Sequence, residues 1–386
     1  MGLHPCWRRH AHIEGVVCLW ECSLADNTGA PVPGASGIGK GHDQAEARLR
    51  ALTEALERFL TGPARLNESP VHFVGAGELA AGPLSRDASA PLLTRLSGSE
   101  LACHSYQSLH PGDSAISIPL YFSAPWYTDQ DGKHYRDRVG DRTDYRDLSR
   151  YSVSSGYGLA PTPDHATVHA LLETIERDAC SLLILRVLLS GRPPTVVDPR
   201  TLPDDLVILH GQVEHEADGP VHLIDATSDL DIPTILAYRA PADGRPYLRG
   251  QATSLSPAQA VAGALTELLE SAVARRHTSP PPLPLTDLEP YPALHRCARF
   301  DLTAALHRAR TTAFADRTTF PPCPGAQLDE VLSRLTAHGF TAYRRRIATL
   351  PGNVSAVHTV VPGLERFFAV VKGALTLPGP RGRSSR

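Results

Sequence analysis

Three times along this chain two glutamates stand three positions apart inside an apolar run: Leu52-Thr-Glu54-Ala-Leu-Glu57-Arg58, Leu172-Glu173-Thr-Ile-Glu176-Arg177 and Leu265-Thr-Glu267-Leu-Leu-Glu270-Ser271. On a helix, residues three apart share one face. Their neighbours are Leu, Ala and Ile rather than lysines four positions on, so surface ion pairs explain them poorly. A single Glu-x-x-Glu is ordinary on a solvated helix, because Glu is a good helix former. Three in matching apolar settings call for another reason. Brought together, six carboxylates would form a concentration of like charge that bound divalent cations make tolerable, and ligands made only of oxygen point to Mg2+. A di-iron carboxylate bundle would need Glu-x-x-His spacing, which none of these helices has.

Other candidates are weaker. Gly34-Ala-Ser-Gly-Ile-Gly39-Lys40-Gly41 spells most of a P-loop, but Gly41 stands where the Mg2+-binding Ser or Thr belongs, and Pro31-Val-Pro33 precedes it instead of a hydrophobic strand. It reads as a Gly-rich turn whose Lys40 could approach a phosphate. Ser154-Ser155-Gly156-Tyr157-Gly158, just ahead of the second acidic segment, offers small residues that let backbone come close to a ligand, or simply a helix-capping turn. His165, His169 and Glu173 share a helix face, and Cys18 and Cys22 lie near Cys6, His4, His10 and His12. The first set could be read as metal ligands, but helical histidines are more often satisfied surface or core residues, and the second has irregular spacing and no second paired Cys motif. No Ser-His-Asp or Cys-His set can be assembled, and the catalytic residue is left unassigned.

The elements that must carry these residues follow from periodicity. Apolar positions recur every three or four residues from Asp43 to Leu60, from Thr162-Pro163, an N-cap and a first-turn proline, to about Leu189, and from Ser256-Pro257 to Arg276. Strands are expected over residues 14–24, from Ala115, at Leu206 to Leu209, Val221 to Asp225 and Pro233 to Tyr238, and near Thr341 to Ile347 and Ala356 to Val361. A further helix is expected from Gln327 to His338. Residues 75–115 show little period, Asp129 to Asp147 reads as a charged loop, and Ser279 to Pro284 as a linker.

Composition narrows the class. With 386 residues, 38 Lys+Arg against 41 Asp+Glu and 42% hydrophobic residues, the chain is neither disordered nor a supercharged nucleic-acid binder. The longest apolar stretch, Leu182 to Leu189, is too short to span a membrane, and Met1 to His12 lacks the apolar run of a signal peptide. Seven scattered cysteines are not a disulfide framework, so a cytoplasmic protein with reduced thiols is expected.

Gly39-Lys40-Gly41, then Glu54-x-x-Glu57-Arg58, then Ser154-Ser155-Gly156 leading into Glu173-x-x-Glu176-Arg177-Asp178-Ala179, then Ala264-Leu-Thr-Glu267 and Val361-Pro-Gly-Leu364 together resemble the YcaO family, in order, over about residues 36 to 365. The resemblance implies an α/β (α+β) fold in which mixed sheets pack with long acidic helices around a site for ATP and Mg2+. Residues 1–35 would be a variable N-terminal segment, 36–375 the YcaO domain and 376–386 a flexible Pro/Arg-rich tail. It also implies Glu54, Glu57, Glu173 and Glu176 as metal carboxylates, and Lys40, Ser155, Gly156, Arg177 and Glu267 as residues facing the nucleotide, Arg177 touching phosphate.

The activity implied is ATP-dependent activation of a backbone amide in a ribosomally made peptide, with cyclodehydration of Cys, Ser or Thr to an azoline as the leading reaction. Thioamide or macroamidine formation uses the same ATP chemistry, and a scaffold with a degraded site is the reading from a different class. Expected partners are the precursor peptide and a separate leader-recognition or ubiquitin-activating-enzyme-like protein, or a TfuA-type protein, with a homodimer as one assembly and neither nucleic acid nor membrane. The chain departs from the family pattern at Arg50, Pro161, His165, Gly263 and Glu270, and Pro378-Gly-Pro380-Arg-Gly382 is one proline short of the tail common in azoline-forming members.

Overall fold

A computed structural model describes the chain except for residues 1, 14–16, 42, 64, 66–69, 131, 243, 278–284, 317–320 and 385–386. The linker expected at Ser279 to Pro284 and the first residues of the strand expected at 14–24 lie outside the described residues. Three sheets organise the fold. The first is antiparallel, β1 (His4–Ile13), β2 (Val17–Ala25) and β3 (Pro31–Gly41) in that order.

The remaining strands are β4 (His72–Gly75), β5 (Glu100–Ser108), β6 (Ile116–Pro119), β7 (Tyr157–Ala160), β8 (Thr195–Val197), β9 (His222–Asp225), β10 (Thr234–Arg239), β11 (Leu248–Thr253), β12 (Arg310–Thr312), β13 (Tyr343–Thr349) and β14 (Ser355–Val360). They form a sheet ordered β11-β10-β9-β8-β12 and another ordered β4-β5-β13-β14-β7, with β6 paired to β5. In both, antiparallel pairing dominates, and β8 with β12 is the parallel pair. The class is mixed α/β, as expected.

β3, β7 and β11 each lie at the end of a sheet, and each leads into one of the acidic helices: Gln44–Thr61, Pro163–Ile184 and Pro257–His277. Each helix packs against the strand before it. Asp43 caps the first by accepting from the Glu46 amide, and Thr162 caps the second by accepting from the His165 amide. The second continues from Leu185 to Leu189 as a π-helical turn before Gly191 stops it. The first helix also touches β7 and the second touches β11, so the three units interlock.

Core packs on both faces of the sheet ordered β11-β10-β9-β8-β12. Leu183, Ile184, Leu236 and Tyr238 pack with Phe300 and Phe367 on one side, and Leu223, Ala237, Val261, Leu265 and Leu268 on the other. Several local expectations need correction. Residues 31–41, read as turns for their Gly and Pro, form the long strand β3. Leu206 to Leu209 belongs to a helix, Asp204–Ala217, whose buried residues Leu206, His210, Val213 and Ala217 recur at helical spacing behind the acidic pair Asp204-Asp205. Four apolar residues in a row had hidden that period.

The stretch of little period holds short helices Ala76–Ala81 and Ala90–Arg95 and strand β5, and the charged loop holds helix Lys133–Val139. Only Ile116–Pro119 of the strand expected from Ala115 is extended; a 3-10 turn and a short helix follow. The Pro/Arg-rich segment that composition marks as flexible is tied down as far as Ser384. Arg381 pairs with the fully buried Asp178 at 2.7 and 3.0 Å and with Asp229, while one oxygen of Glu365 accepts from the amides of Gly379 and Gly382, both at 2.9 Å.

Candidate active site

The carboxylates are placed by one device used three times. In the first unit, a Cβ on Gly39 would stand 2.0 Å from the Ala47 carbonyl oxygen. In the second, a Cβ on Gly158 would stand 2.1 Å from the Ala166 oxygen, and in the third a Cβ on Gly250 would lie 2.2 Å from the Ala264 oxygen. Strand glycines thus let each helix backbone lie directly on its strand. The helix side of the contact is alanine at four-residue spacing: Ala47 and Ala51, Ala166 and Ala170, Ala260 and Ala264, all with no exposed surface.

At that separation the first glutamate of each pair reaches the strand backbone. Glu54 accepts from the Ile38 amide at 2.8 Å, Glu173 from the Gly156 amide at 3.0 Å and Glu267 from the Gln251 amide at 3.0 Å. One oxygen of each carboxylate is therefore fixed. In the third unit Ala252 occupies the strand position that Gly39 holds in the first. A Cβ on Gly263 would meet the Ala252 Cβ at 2.6 Å. The departure at 263 is a packing exchange, with the glycine moved from strand to helix.

The helices bring the six carboxylates to one place. Glu57 lies near Glu173 and Glu54, Glu176 near Glu267 and Glu173, and Glu270 near Glu267 and Glu54. Three cations sit among them. Lys40 pairs with Glu270 at 3.6 Å, which joins the first strand to the third helix; Arg58 pairs with Glu54; Arg177 bridges Glu173 at 3.5 Å and Glu176 at 3.6 Å.

Among the described residues, six carboxylates against these three paired cations, with Lys372 also facing Glu173, leave a surplus of negative charge. Burial, with Glu173 and Glu54 adding to it, pushes Glu57 up to about 8; burial, with Glu267 and Glu173 beyond the opposing Arg177, pushes Glu176 up to about 8. Glu270 is raised as well, by burial first. Among the described residues no three acidic, His or Cys side chains close into a preformed metal cluster. The donor set and its uncompensated charge nevertheless fit hard divalent cations, which would hold Glu57 and Glu176 ionised. Among the described residues the N-terminal cysteines and histidines likewise form no group of three that could hold zinc.

Ser155 and Gly156 sit at the head of the second unit. Gly156 has a φ of +87°, and a Cβ there would meet the Thr359 oxygen at 2.5 Å, so the position requires glycine. Ser154, Ser155, Thr174 and Arg177 line a cavity that Phe368 and Lys372 complete. Arg177 and Arg249 both lie over the Phe368 ring, at 5.4 and 4.7 Å. Sequence reasoning missed Arg249, Gln251, Phe368 and Lys372. Gln251 follows Gly250 as Ile38 follows Gly37, and each second residue's amide meets the first glutamate of its unit.

It also missed His358, 1% exposed on β14, whose Nε2 lies 2.9 Å from the Ser155 carbonyl oxygen and whose Nδ1 lies 2.6 Å from the Tyr106 hydroxyl. Burial, then the nearby Arg345, lowers its pKa to about 3. A neutral ring satisfies both contacts when Nε2–H donates to Ser155 and Nδ1 accepts from Tyr106. Tyr106→Phe then strands a buried acceptor, and we expect a stability loss of about 1–3 kcal/mol by urea denaturation.

A family model described as YcaO cyclodehydratase, ATP- and Mg2+-binding, matches residues 38–365. An uncharacterised protein of Methanothermobacter thermautotrophicus is 30% identical over 279 residues, covering 68% of this chain and 67% of its own length. The solved structure of YcaO from Methanopyrus kandleri bound with AMPPCP and Mg2+ superposes with a TM-score of 0.66 at 18% identity, over 97% of this chain and 89% of that one. A heterocyclase in complex with substrate and cofactor gives 0.66 at 14% identity over 93% of this chain and 49% of its own. The E. coli microcin synthetase McbBCD complex gives 0.60 at 14% identity, over 94% and 88%.

Proposed function

The chain belongs to the YcaO family, whose members bind ATP and Mg2+, and from that premise we propose that it activates a backbone amide of a ribosomally made peptide and closes a Cys, Ser or Thr side chain onto it as an azoline. The observation that supports this most is the meeting of three helix-borne Glu-x-x-Glu pairs in one half-buried place with Arg177 between two of them. Amide oxygen is a poor leaving group. ATP supplies the phosphoryl group that corrects this, and Mg2+ supplies positive charge at the transferring phosphoryl. The side-chain heteroatom would add to the amide carbon and give up its proton, the amide oxygen would take the γ-phosphoryl of ATP as ADP departs, and the carbon–oxygen bond would then break with release of phosphate and of the amide N–H proton, leaving a C=N bond. The peptide loses the elements of one water.

Glu57, Glu173 and Glu176 would hold the metal, with Glu54 completing the set. Glu267 and Glu54, each tied to a strand amide, fix where the helices present these groups. Arg177 would face phosphate, and Lys40, Ser155 and Gly156 would line the nucleotide's path. A separate leader-recognition or ubiquitin-activating-enzyme-like protein, or a TfuA-type protein, would deliver the peptide, consistent with relatives that work in complexes; a homodimer would leave these roles unchanged. Among the described residues no helix is long and apolar enough to cross a membrane, and a cytoplasmic setting suits a substrate made on ribosomes.

Mass spectrometry of a precursor peptide incubated with the chain, its partner, ATP and Mg2+ tests the reading. The azoline product is lighter by one water and carries the change at a Cys, Ser or Thr. The same loss with the N-terminal amine consumed would identify an amidine, and exchange of oxygen for sulfur a thioamide. An unmodified peptide would favour the scaffold, the reading that the departures at Gly263, His165 and Pro161 motivate.

A further inference from the structure

On the far side of the third acidic helix a cleft of about 660 Å3 opens between the end of helix Asp204–Ala217, the end of β10 and the last turns of the acidic helix. It has no lining residue in common with the cavity beside Arg177. Four arginines line it, Arg239, Arg245, Arg275 and Arg276, against two acids, Glu216 and Asp218.

Both acids are engaged. Arg245 pairs with Asp218, and Arg276 pairs with Glu216 at 2.7 Å while donating to the Glu216 carbonyl, so these arginines also answer the negative end of their helix. That leaves Arg239 and Arg275, which have no acidic partner among the described residues. Arg239 is 4% exposed; its Nη1 donates to the Ala240 carbonyl, and its Nε has no acceptor among the described residues. Arg275 donates to the Pro246 carbonyl at 3.3 Å. Burial and then the neighbouring guanidiniums of Arg245 and Arg275 lower the pKa of Arg239, against the opposing carboxylate of Asp218, which Arg245 already engages.

Two uncompensated guanidiniums beside an open cleft match a dianion, and the guanidinium fork matches phosphate oxygens. The cleft's other wall, Leu248, Pro246 and Ala272, is apolar and suits an organic substituent. We propose that this cleft binds the phosphate monoester of a small organic molecule, at a site separate from the carboxylates.

Calorimetric titration of the full chain, with AMPPCP and Mg2+ saturating, tests this with phenyl phosphate and inorganic phosphate as probes. We expect saturable binding of phenyl phosphate, at least about tenfold tighter than inorganic phosphate, and a further loss of about tenfold or more in Arg275→Met with no change in melting temperature. Arg275 is half-buried at the rim, so that variant should fold even if Arg239→Met does not. Equal affinities for the two probes would make the free ion the ligand and overturn the monoester. Absence of saturable binding, or binding that survives Arg275→Met, would overturn the site. A separate AMPPCP titration reports on the carboxylate site, and a failure there leaves the comparison between parent and Arg275→Met intact.

Discussion

Changing Glu173 and Glu176 together to Gln is expected to abolish Mg2+-dependent binding of AMPPCP and to lower the peptide-modifying rate by about 10^3-fold or more, while the chain remains folded. Gln at 173 can still accept from the Gly156 amide, so the strand–helix contact survives and only charge is removed. Calorimetric titration checks the binding, and binding retained in the variant would remove these carboxylates from the metal site.

The same substitution should change how stability depends on pH. In the metal-free chain Glu57 and Glu176 have folded-state pKa values near 8, raised from 4.5. Each therefore favours the folded state fully below 4.5, and that contribution is lost as pH rises through about 8. The metal-free parent should melt lower at pH 9 than at pH 7. Mg2+ with AMPPCP should restore most of the loss, because a cation stabilises the ionised form. The Gln variant should show a shallower slope and no rescue. Thermal melts across pH 7–9, with and without Mg2+, separate these outcomes.

What could be read in the sequence was local. The three helices announce themselves through alanines and leucines spaced by a turn, and Thr162-Pro163 marks a start that the structure keeps. The ordered set of motifs sufficed for the family. β3 was hidden because Gly and Pro ordinarily signal turns; here Gly37, Gly39 and Gly41 line a strand whose other side is the helix backbone, a requirement visible only once the partner is in place. The positioning of Ser155 by His358 and Tyr106 joins residues 252 and 203 positions apart, and no local pattern encodes such a contact. The tail's contacts are non-local in the same way: Pro, Gly and Arg suggest a loose end, and the pairing of Arg381 with the buried Asp178 next to Arg177 spans 203 positions.

The repeated glycine contact carries the largest stability effects. Gly158→Ala and Gly250→Ala each place a methyl about 2.1 Å from helix backbone atoms, Ala166 O in one case and Leu268 N in the other. Neither neighbour is the flexible end of a side chain, so helix and strand must separate, and we expect a loss of about 3 kcal/mol in each, or about 4 °C for a chain of this length. Gly211→Ala is the control: it lies exposed within helix Asp204–Ala217 with nothing near its added Cβ, and should stabilise by up to about 1 kcal/mol.

The third unit allows a sharper test, because Gly263→Ala should destabilise through its 2.6 Å clash with the Ala252 Cβ, and Ala252→Gly should relieve it. A coupling of about 1 kcal/mol or more in that cycle would show that the glycine can sit on either side of the contact. Separation of helix from strand also draws Glu173 from the Gly156 amide, or Glu267 from the Gln251 amide. AMPPCP affinity should therefore fall in Gly158→Ala, Gly250→Ala and Gly263→Ala at temperatures where all three remain folded, and return when Ala252→Gly is added to Gly263→Ala. Unchanged affinity in the destabilised variants would mean that the strand amides do not set the carboxylates' positions.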